Sequence, residues 1–319
     1  MHGAICSCYL RGMKMVWLAA PISPAFHAWL NQRGYIVWNN TERPSDVLLL
    51  EGIITSNRLK LDRDVLAELP NLRWIARMGS GMEIIDTAYC ASRSIACFSS
   101  PGGLANSVAE HATGMLLSLL HRIPTALNEV RAGQWIREPN RGNELNGQCV
   151  GLIGYGHTGR AFAEKLQVFT PHIIAYDKYH PAPAGSIASA VSLEELQARA
   201  DIISFHVPLN HETNHYYNAH FMAGMAKPHI LINTSRGPVC SSASVLEALA
   251  LGKLTGACLD VLDCEKSIDI LLATPDNIVA DLLRYNVIIT PHIAGYSVQA
   301  TQKMSDALMQ QLDTLLGAL

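Results

Sequence analysis

The chain has 319 residues and a formal net charge of −3; 49% of its residues are hydrophobic and 16% are charged. That length suits one large domain or two ordinary ones around a sizeable core. The absence of a basic tail or Lys/Arg block argues against nucleic acid, no apolar run reaches membrane length, and the eight scattered cysteines lack zinc or thioredoxin spacing, so a cytoplasmic protein without a metal is expected.

Residues 1–12 read poorly as structure and are expected to be a disordered extension. Val16–Ala20 is the first strand candidate. Pro24 starts a helix that Gly34 stops, and strands follow at Tyr35–Trp38 and Ile53–Thr55. A helical pattern at Asp62–Leu69 separates these from strands at Leu72–Ala76 and Ile95–Phe98. Such alternation predicts a parallel sheet covered on both faces. Arg77-Met78-Gly79-Ser80-Gly81 follows a strand directly; it is either a plain glycine turn or a nest of N–H groups for a carboxylate. Val108 begins a strongly apolar helix, which makes Asn106 and Ser107 either helix caps or markers of a domain boundary. Pro124 restarts the helical run as far as Arg131, and the polar stretch 137–143 reads as surface chain.

The central pattern is an apolar run into Gly154-Tyr155-Gly156-His157-Thr158-Gly159, with an amphipathic helix after it. Strand, glycine turn and helix in that order form a dinucleotide fingerprint. Gly154 would make the turn, Gly156 would admit a pyrophosphate, and Gly159 would let the helix pack closely. A second apolar run, His172–Tyr176, ends in Asp177. A carboxylate there accepts ribose hydroxyls and repels a 2′-phosphate, which points to NAD over NADP. The adjacent Lys178 weakens that preference, and a solvated strand-end acid is the plain alternative. Further strands at Asp201–His206, His229–Thr234, Leu254–Leu259 and Asn286–Thr290 complete six with helical crossovers, a doubly wound plan. Ser297–Leu316 reads as one long amphipathic helix.

Three polar residues follow three different strands: Arg236, Glu265 and His292. In an open parallel sheet, ligands sit beyond the carboxyl ends of the strands, so these residues can converge. Together they suit hydride transfer at a carbonyl. Arg236 would hold a carboxylate and polarise the oxygen, His292 would move the proton, and Glu265 would orient the imidazole. Each alone has a plain reading as a solvated or structural group. Asp260 could cap a helix, meet the nicotinamide side or act indirectly; His206 could satisfy a buried strand end; His111 reads as a helix or interface residue.

On these motifs, with Val108-Ala109-Glu110-His111, the sequence from about Met13 onward resembles the D-isomer specific 2-hydroxyacid dehydrogenases, in particular their D-3-phosphoglycerate dehydrogenase-like branch. The resemblance implies an α/β chain of two similar parallel-sheet domains. These are a flavodoxin-like substrate domain at 13–106 plus 296–319 and a Rossmann NAD-binding domain at 107–295. It implies NAD as cofactor, Arg236, Glu265 and His292 as catalytic residues, and a homodimer formed through the nucleotide domain. The cofactor would meet Gly154, Gly156, Gly159 and Asp177. His157 and Thr158 would line the pyrophosphate, Val207 and Pro208 the adenine, and Thr234, Asp260 and Gly295 the rest of the cofactor. Gly79, Ser80 and Gly81 would face the substrate carboxylate, with Asn106 and Arg77 on the same side.

The sequence departs from the family pattern at Met82-Glu83, where many relatives carry Asp or Asn before the second acid, and at Lys266, where a proline often follows the glutamate. It ends soon after its last helix, so serine feedback through an added regulatory domain is not expected. The expected reaction is oxidation of 3-phospho-D-glycerate, with Arg77, Arg131, Arg137 and Arg141 as candidate phosphate cations. Reduction of glyoxylate, hydroxypyruvate or an aliphatic 2-keto acid is the alternative. An NAD-sensing corepressor, known on this fold, would need a peptide cleft or interaction tails.

Overall fold

Alternating apolar and polar segments give a chain in which every sheet pairing is parallel. The computed structural model describes residues 13–57, 59–275 and 277–317; the expected extension at 1–12, with Cys6 and Cys8, lies outside them. The chain divides into two units, one running to Leu104 and resuming at Val298, the other covering Ala105–Ser297.

The first unit holds β1 (Lys14–Ala19), α1 (Pro24–Gln32), β2 (Tyr35–Asn39), β3 (Leu50–Thr55), α2 (Arg63–Ala67), β4 (Trp74–Arg77), α3 (Thr87–Ser92) and β5 (Ala96–Ser99). Its sheet order is β2-β1-β3-β4-β5. Ser23 caps α1 by accepting from Phe26 N at 3.2 Å, Pro24 opens the helix, and Gly34 leaves it at φ +74°. A Cβ on Gly52 would fall 2.1 Å from the Trp74 ring, so this glycine makes room for the largest buried side chain of the neighbouring strand. One sheet face packs on Leu61, Leu66, Leu69 and Ile85. The other packs on Phe26 and Leu30 of α1 and on Ala300, Met304, Leu308 and Leu312 of the last helix.

The division of the chain falls within α4 (Pro101–Leu120), and this helix corrects one of the two sequence readings of Asn106 and Ser107. Asn106 and Ser107 are not caps but lie in the second turn, because the helix begins at Pro101. Gly102 and Gly103 disfavour helix locally. The place of Gly103 is explained by packing: a Cβ there would lie 2.7 Å from the backbone nitrogen of Met304, so only glycine permits that approach.

The second unit continues with α5 (Ile123–Arg131), β6 (Val150–Ile153), α6 (His157–Leu166), β7 (Ile173–Tyr176), β8 (Ser189–Ala190), α7 (Leu193–Arg199) and β9 (Ile202–Phe205). It is completed by α8 (Ala219–Gly224), β10 (His229–Asn233), α9 (Ser242–Ala250), β11 (Leu254–Leu259), α10 (Ile268–Leu272), α11 (Ile278–Leu282) and β12 (Val287–Ile289), before α12 (Val298–Gly317) rejoins the first unit. Strand order β12-β11-β10-β9-β6-β7-β8 reverses direction between β6 and β9, the doubly wound switch point. Sequence reading missed β8, whose two exposed residues carry no apolar pattern. Leu152, Phe162 and Leu116 pack on one face of this sheet; Phe205, Tyr217 and Leu231 pack on the other.

Two imidazoles are buried in this core. His206 lies with Nε2 2.9 Å from the Ser204 hydroxyl, and burial pushes its pKa down to about 4. His229 is likewise pushed down to about 4 by burial, against a weak opposing contact to Lys227 O, and its Nε2 sits 3.2 Å from the Tyr217 hydroxyl. A depressed imidazole pKa means that the unfolded chain binds the proton first. Stability is therefore complete above pH 6.5 and falls as pH drops toward 4, by roughly 3 kcal/mol per histidine. Urea midpoints measured from pH 7 to 4.5 should decline in the wild type and decline less in His206→Asn. Parallel curves for the two proteins would contradict a buried neutral His206.

Candidate active site

The glycine turn is built by close backbone approach. Gly154 adopts φ +94°, and a Cβ there would lie 2.5 Å from His206 O. A Cβ on Gly159 would lie 2.4 Å from Gly154 O, so the helix start presses on the turn itself. Gly156 caps α6 without a side chain, which leaves the first-turn N–H groups of His157 and Thr158 open to an anion. Asp177, after β7, does more than sequence reading assigned. Its Oδ2 accepts from Tyr155 N at 2.8 Å, and its Oδ1 accepts from Tyr179 N and His180 N at 3.0 and 2.9 Å. Burial works to raise its pKa, but these N–H groups outweigh it and hold the carboxyl below its usual range. Asp177 is thus a fixed anion that also ties down the glycine turn. Val207 and Pro208 follow β9, and Val207 Cγ1 reaches within 3.1 Å of the space a Gly154 Cβ would take.

Residues after β10, β11 and β12 share one edge of the sheet, since these strands are neighbours and parallel. The His292 Nδ1 lies 3.0 Å from Glu265 Oε2, while Glu265 Oε1 accepts from Leu262 N at 3.0 Å. Both side chains keep about a third of their surface exposed, at 33% and 38%. Arg236 is partly buried and donates from Nη1 to Ser235 O at 2.7 Å. Its loop is locked to that of Glu265: a Cβ on Gly237 would fall 1.9 Å from Leu262 O. Asp263 fastens the same loop to α9 by accepting from Ser242 N at 3.1 Å and from the Ser242 hydroxyl.

Asp260 is the buried acid of this edge, 2% exposed. Its Oδ1 accepts from the Thr290 hydroxyl at 2.6 Å and from Ile293 N at 2.9 Å, and its Oδ2 accepts from Ala294 N at 2.8 Å. Its own carbonyl accepts from His292 N at 2.8 Å. These bonds wrap residues 290–294 around one carboxylate and hold His292 at φ +56°, a left-handed conformation that a non-glycine residue takes at a cost. His111 of α4 stands 3.0 Å from the Thr290 hydroxyl and 3.6 Å from Asp260, and Ser107 donates to Ala294 O at 2.8 Å. Sequence reading missed this bracket, although Asp260 and Ser107 were both in view.

Thr234, just past β10, has a buried hydroxyl with no hydrogen-bond partner among the described residues. An orphaned hydroxyl past one strand of the sheet, with open helix N–H groups past β6 and a carboxylate past β7, fits a bound NAD. Gly295, half-buried, follows the bracketed loop.

In the first unit, Gly79 lies at φ +153°, where a Cβ would fall 2.6 Å from Arg77 Nη1. Arg77 is 6% exposed and turns inward, donating to Met78 O at 2.7 Å and Gly81 O at 3.1 Å. It shapes the Gly79-Ser80-Gly81 loop. Asn106 donates to Glu110 at 2.8 Å on α4. Arg131, Arg137 and Arg141 are exposed, and Arg141 pairs with Glu138. Among the described residues there is no cluster of three metal-ligating side chains, and no helix is long and apolar enough to cross a membrane.

Residues 113–294 match the NAD binding domain of the D-isomer specific 2-hydroxyacid dehydrogenases. A glyoxylate reductase of Thermofilum pendens is 34% identical over 81% of this chain and 76% of its own. A D-3-phosphoglycerate dehydrogenase of Methanocaldococcus jannaschii is 32% identical over 81% of this chain, which spans only 48% of that protein. The crystal structure of a D-lactate dehydrogenase from Aquifex aeolicus, complexed with NAD and lactic acid, has a TM-score of 0.82 at 26% identity, covering 96% of each chain.

Replacing Asp260 with Asn would set an amide N–H₂ against one of the groups that now donate to the carboxylate. The expected cost is about 1–3 kcal/mol, with faster hydrogen exchange at the Ile293 and Ala294 amides. Unchanged exchange at those two amides would show that the carboxylate does not hold the loop.

Proposed function

Because the chain belongs to the D-isomer specific 2-hydroxyacid dehydrogenase family, with NAD as its cofactor, we propose that it interconverts a small, unphosphorylated 2-hydroxy acid and its 2-keto acid, of the glyoxylate and hydroxypyruvate class. The observation that carries the proposal is the His292–Glu265 pair at 3.0 Å, on the sheet edge that also bears Arg236.

With its Nδ1 proton given to Glu265, His292 has Nε2 left to give a proton to the carbonyl oxygen, or to take one from the hydroxyl. The Glu265 carboxylate orients the ring and stabilises the imidazolium that forms in the oxidising direction. Arg236 grips the substrate carboxylate and draws charge onto the reacting oxygen. The chemistry that bound NAD supplies is hydride exchange at the carbon bearing that oxygen. For NAD itself, the chain offers the Gly154–Gly159 turn with the His157 and Thr158 N–H groups, Asp177 for the ribose, Val207 and Pro208 for the adenine, and Thr234, Asp260 and Gly295 toward the nicotinamide. Gly79, Ser80 and Gly81 of the first unit, and Asn106 of the second, are each proposed as substrate contacts.

The choice of an unphosphorylated acid rests on the cations. A phosphate calls for donors beyond those on the carboxylate. Arg77, the buried candidate, is committed to the carbonyls of its own loop, and Arg141 is held by Glu138 at the surface. Assays of nicotinamide absorbance should therefore show turnover of glyoxylate and hydroxypyruvate exceeding that of 3-phosphohydroxypyruvate. His292→Asn should lower kcat at least a hundredfold while NADH still binds. A preference for the phosphorylated acid would overturn the substrate assignment, and normal turnover by His292→Asn would overturn the role of the imidazole.

The partner proposed is a second copy of the chain. Helix α5 exposes Ile123, Leu127 and Val130 at helical spacing, followed by Trp135 at 83% and Ile136 at 39% exposure. Such a stripe suits burial against an apolar surface. Light scattering coupled to gel filtration should give a dimer for the wild type and a monomer for Leu127→Asp/Trp135→Asp. A wild-type monomer at micromolar concentration would dismiss the stripe as an assembly surface.

A further inference from the structure

Lys178 follows Asp177 directly, and an ammonium beside a ribose acid is the type of group that makes a 2′-phosphate acceptable. Its Nζ lies 2.6 Å from Glu212 Oε1, and the Tyr179 hydroxyl donates to Glu212 Oε2. Lys178 leaves the end of β7, Glu212 belongs to the loop after β9, and β6 lies between those strands. The contact therefore crosses the end of the strand that feeds the glycine turn.

The Glu212 loop is preformed. Asn210 Oδ1 accepts from Glu212 N at 2.8 Å and from Thr213 N at 3.0 Å, and the Thr213 hydroxyl donates to Pro208 O at 2.6 Å. Lys178 and then Tyr179 hold the Glu212 carboxyl below its usual range, while Glu212 raises the Lys178 ammonium. One carboxylate thus engages both the Lys178 ammonium and the Tyr179 hydroxyl.

We propose that Glu212 is a cofactor-discriminating residue: by engaging the Lys178 ammonium and the Tyr179 hydroxyl, it withholds both donors from a 2′-phosphate and adds a second negative charge to that of Asp177, so that NAD is taken in preference to NADP. The inference rests on Asp177 as the ribose acid. Removing the Glu212 charge frees a lysine already carried by the backbone next to that acid, so a single substitution converts a neutralised cation into a phosphate ligand.

The test reads binding rather than turnover. Isothermal titration of the purified protein with NADH and NADPH should show NADH bound more tightly by the wild type. In Glu212→Gln, NADPH should bind about five- to tenfold more tightly while NADH changes less than about twofold. Adding Lys178→Ala to Glu212→Gln should remove most of the gain, which a purely structural role of Glu212 in its loop would not produce. An unchanged NADH/NADPH ratio in Glu212→Gln, or a gain undiminished by loss of Lys178, would overturn the proposal. Asp177→Ala separates the two levels. If its ratio shifts and that of Glu212→Gln does not, Glu212 alone is wrong; if its ratio stays put, the ribose assignment fails and the proposal with it.

Discussion

Taking the Asp260 carboxylate out of water costs several kcal/mol, and the second unit recovers that cost by turning residues 290–294 inward around it. The Thr290 hydroxyl and two consecutive backbone N–H groups converge on the two oxygens, with the His111 ring behind them. Charge-assisted bonds of this kind are about twice as strong as neutral ones. They offset both the desolvation and the left-handed backbone at His292. The geometry of the proposed proton donor therefore depends on an acid that need not touch the substrate. Glu265 then fixes the ring on the other side through Nδ1, so the loop sets where the imidazole stands and the glutamate sets which nitrogen faces outward.

The same division between holding and acting recurs at the nucleotide end. Asp177 spends both oxygens on backbone N–H groups, yet as a half-buried carboxylate it keeps lone pairs for further donors. Its dual use explains why turn and acid come as a unit, since the Tyr155 N–H of the glycine turn is itself one of its donors. In the first unit Arg77 follows this logic in reverse. A residue type that looks made for an anion instead organises the carbonyls of Met78 and Gly81.

Most of the strands were legible because each is an apolar run bounded by glycine, proline or charge, and parallel order follows from the helices between them. The positions of Arg236, Glu265 and His292 were legible for the same reason, each lying just after a readable strand. Other features depended on contacts between distant segments. The start of α4 at Pro101 ran against the propensity of Gly102-Gly103 and is explained only by the Met304 backbone, some two hundred residues on. The two-residue β8 had no pattern to read. The bracket around Asp260 joins three separate stretches, so a single acid in Leu259-Asp260-Val261 left its uses open. Arg77 was read as a candidate phosphate cation because sequence does not say which way a guanidinium turns.

The contact between Gly237 and Leu262 O has a consequence for anyone who wishes to reshape this edge. With no space for even a methyl group between the two backbones, the loop bearing Arg236 and the loop bearing Glu265 form one rigid insert, pinned again by Asp263 to α9. Lengthening either loop to admit a bulkier acid would pull on the other. Natural or laboratory variation in substrate size should therefore accumulate elsewhere on the rim and leave this pair of turns untouched.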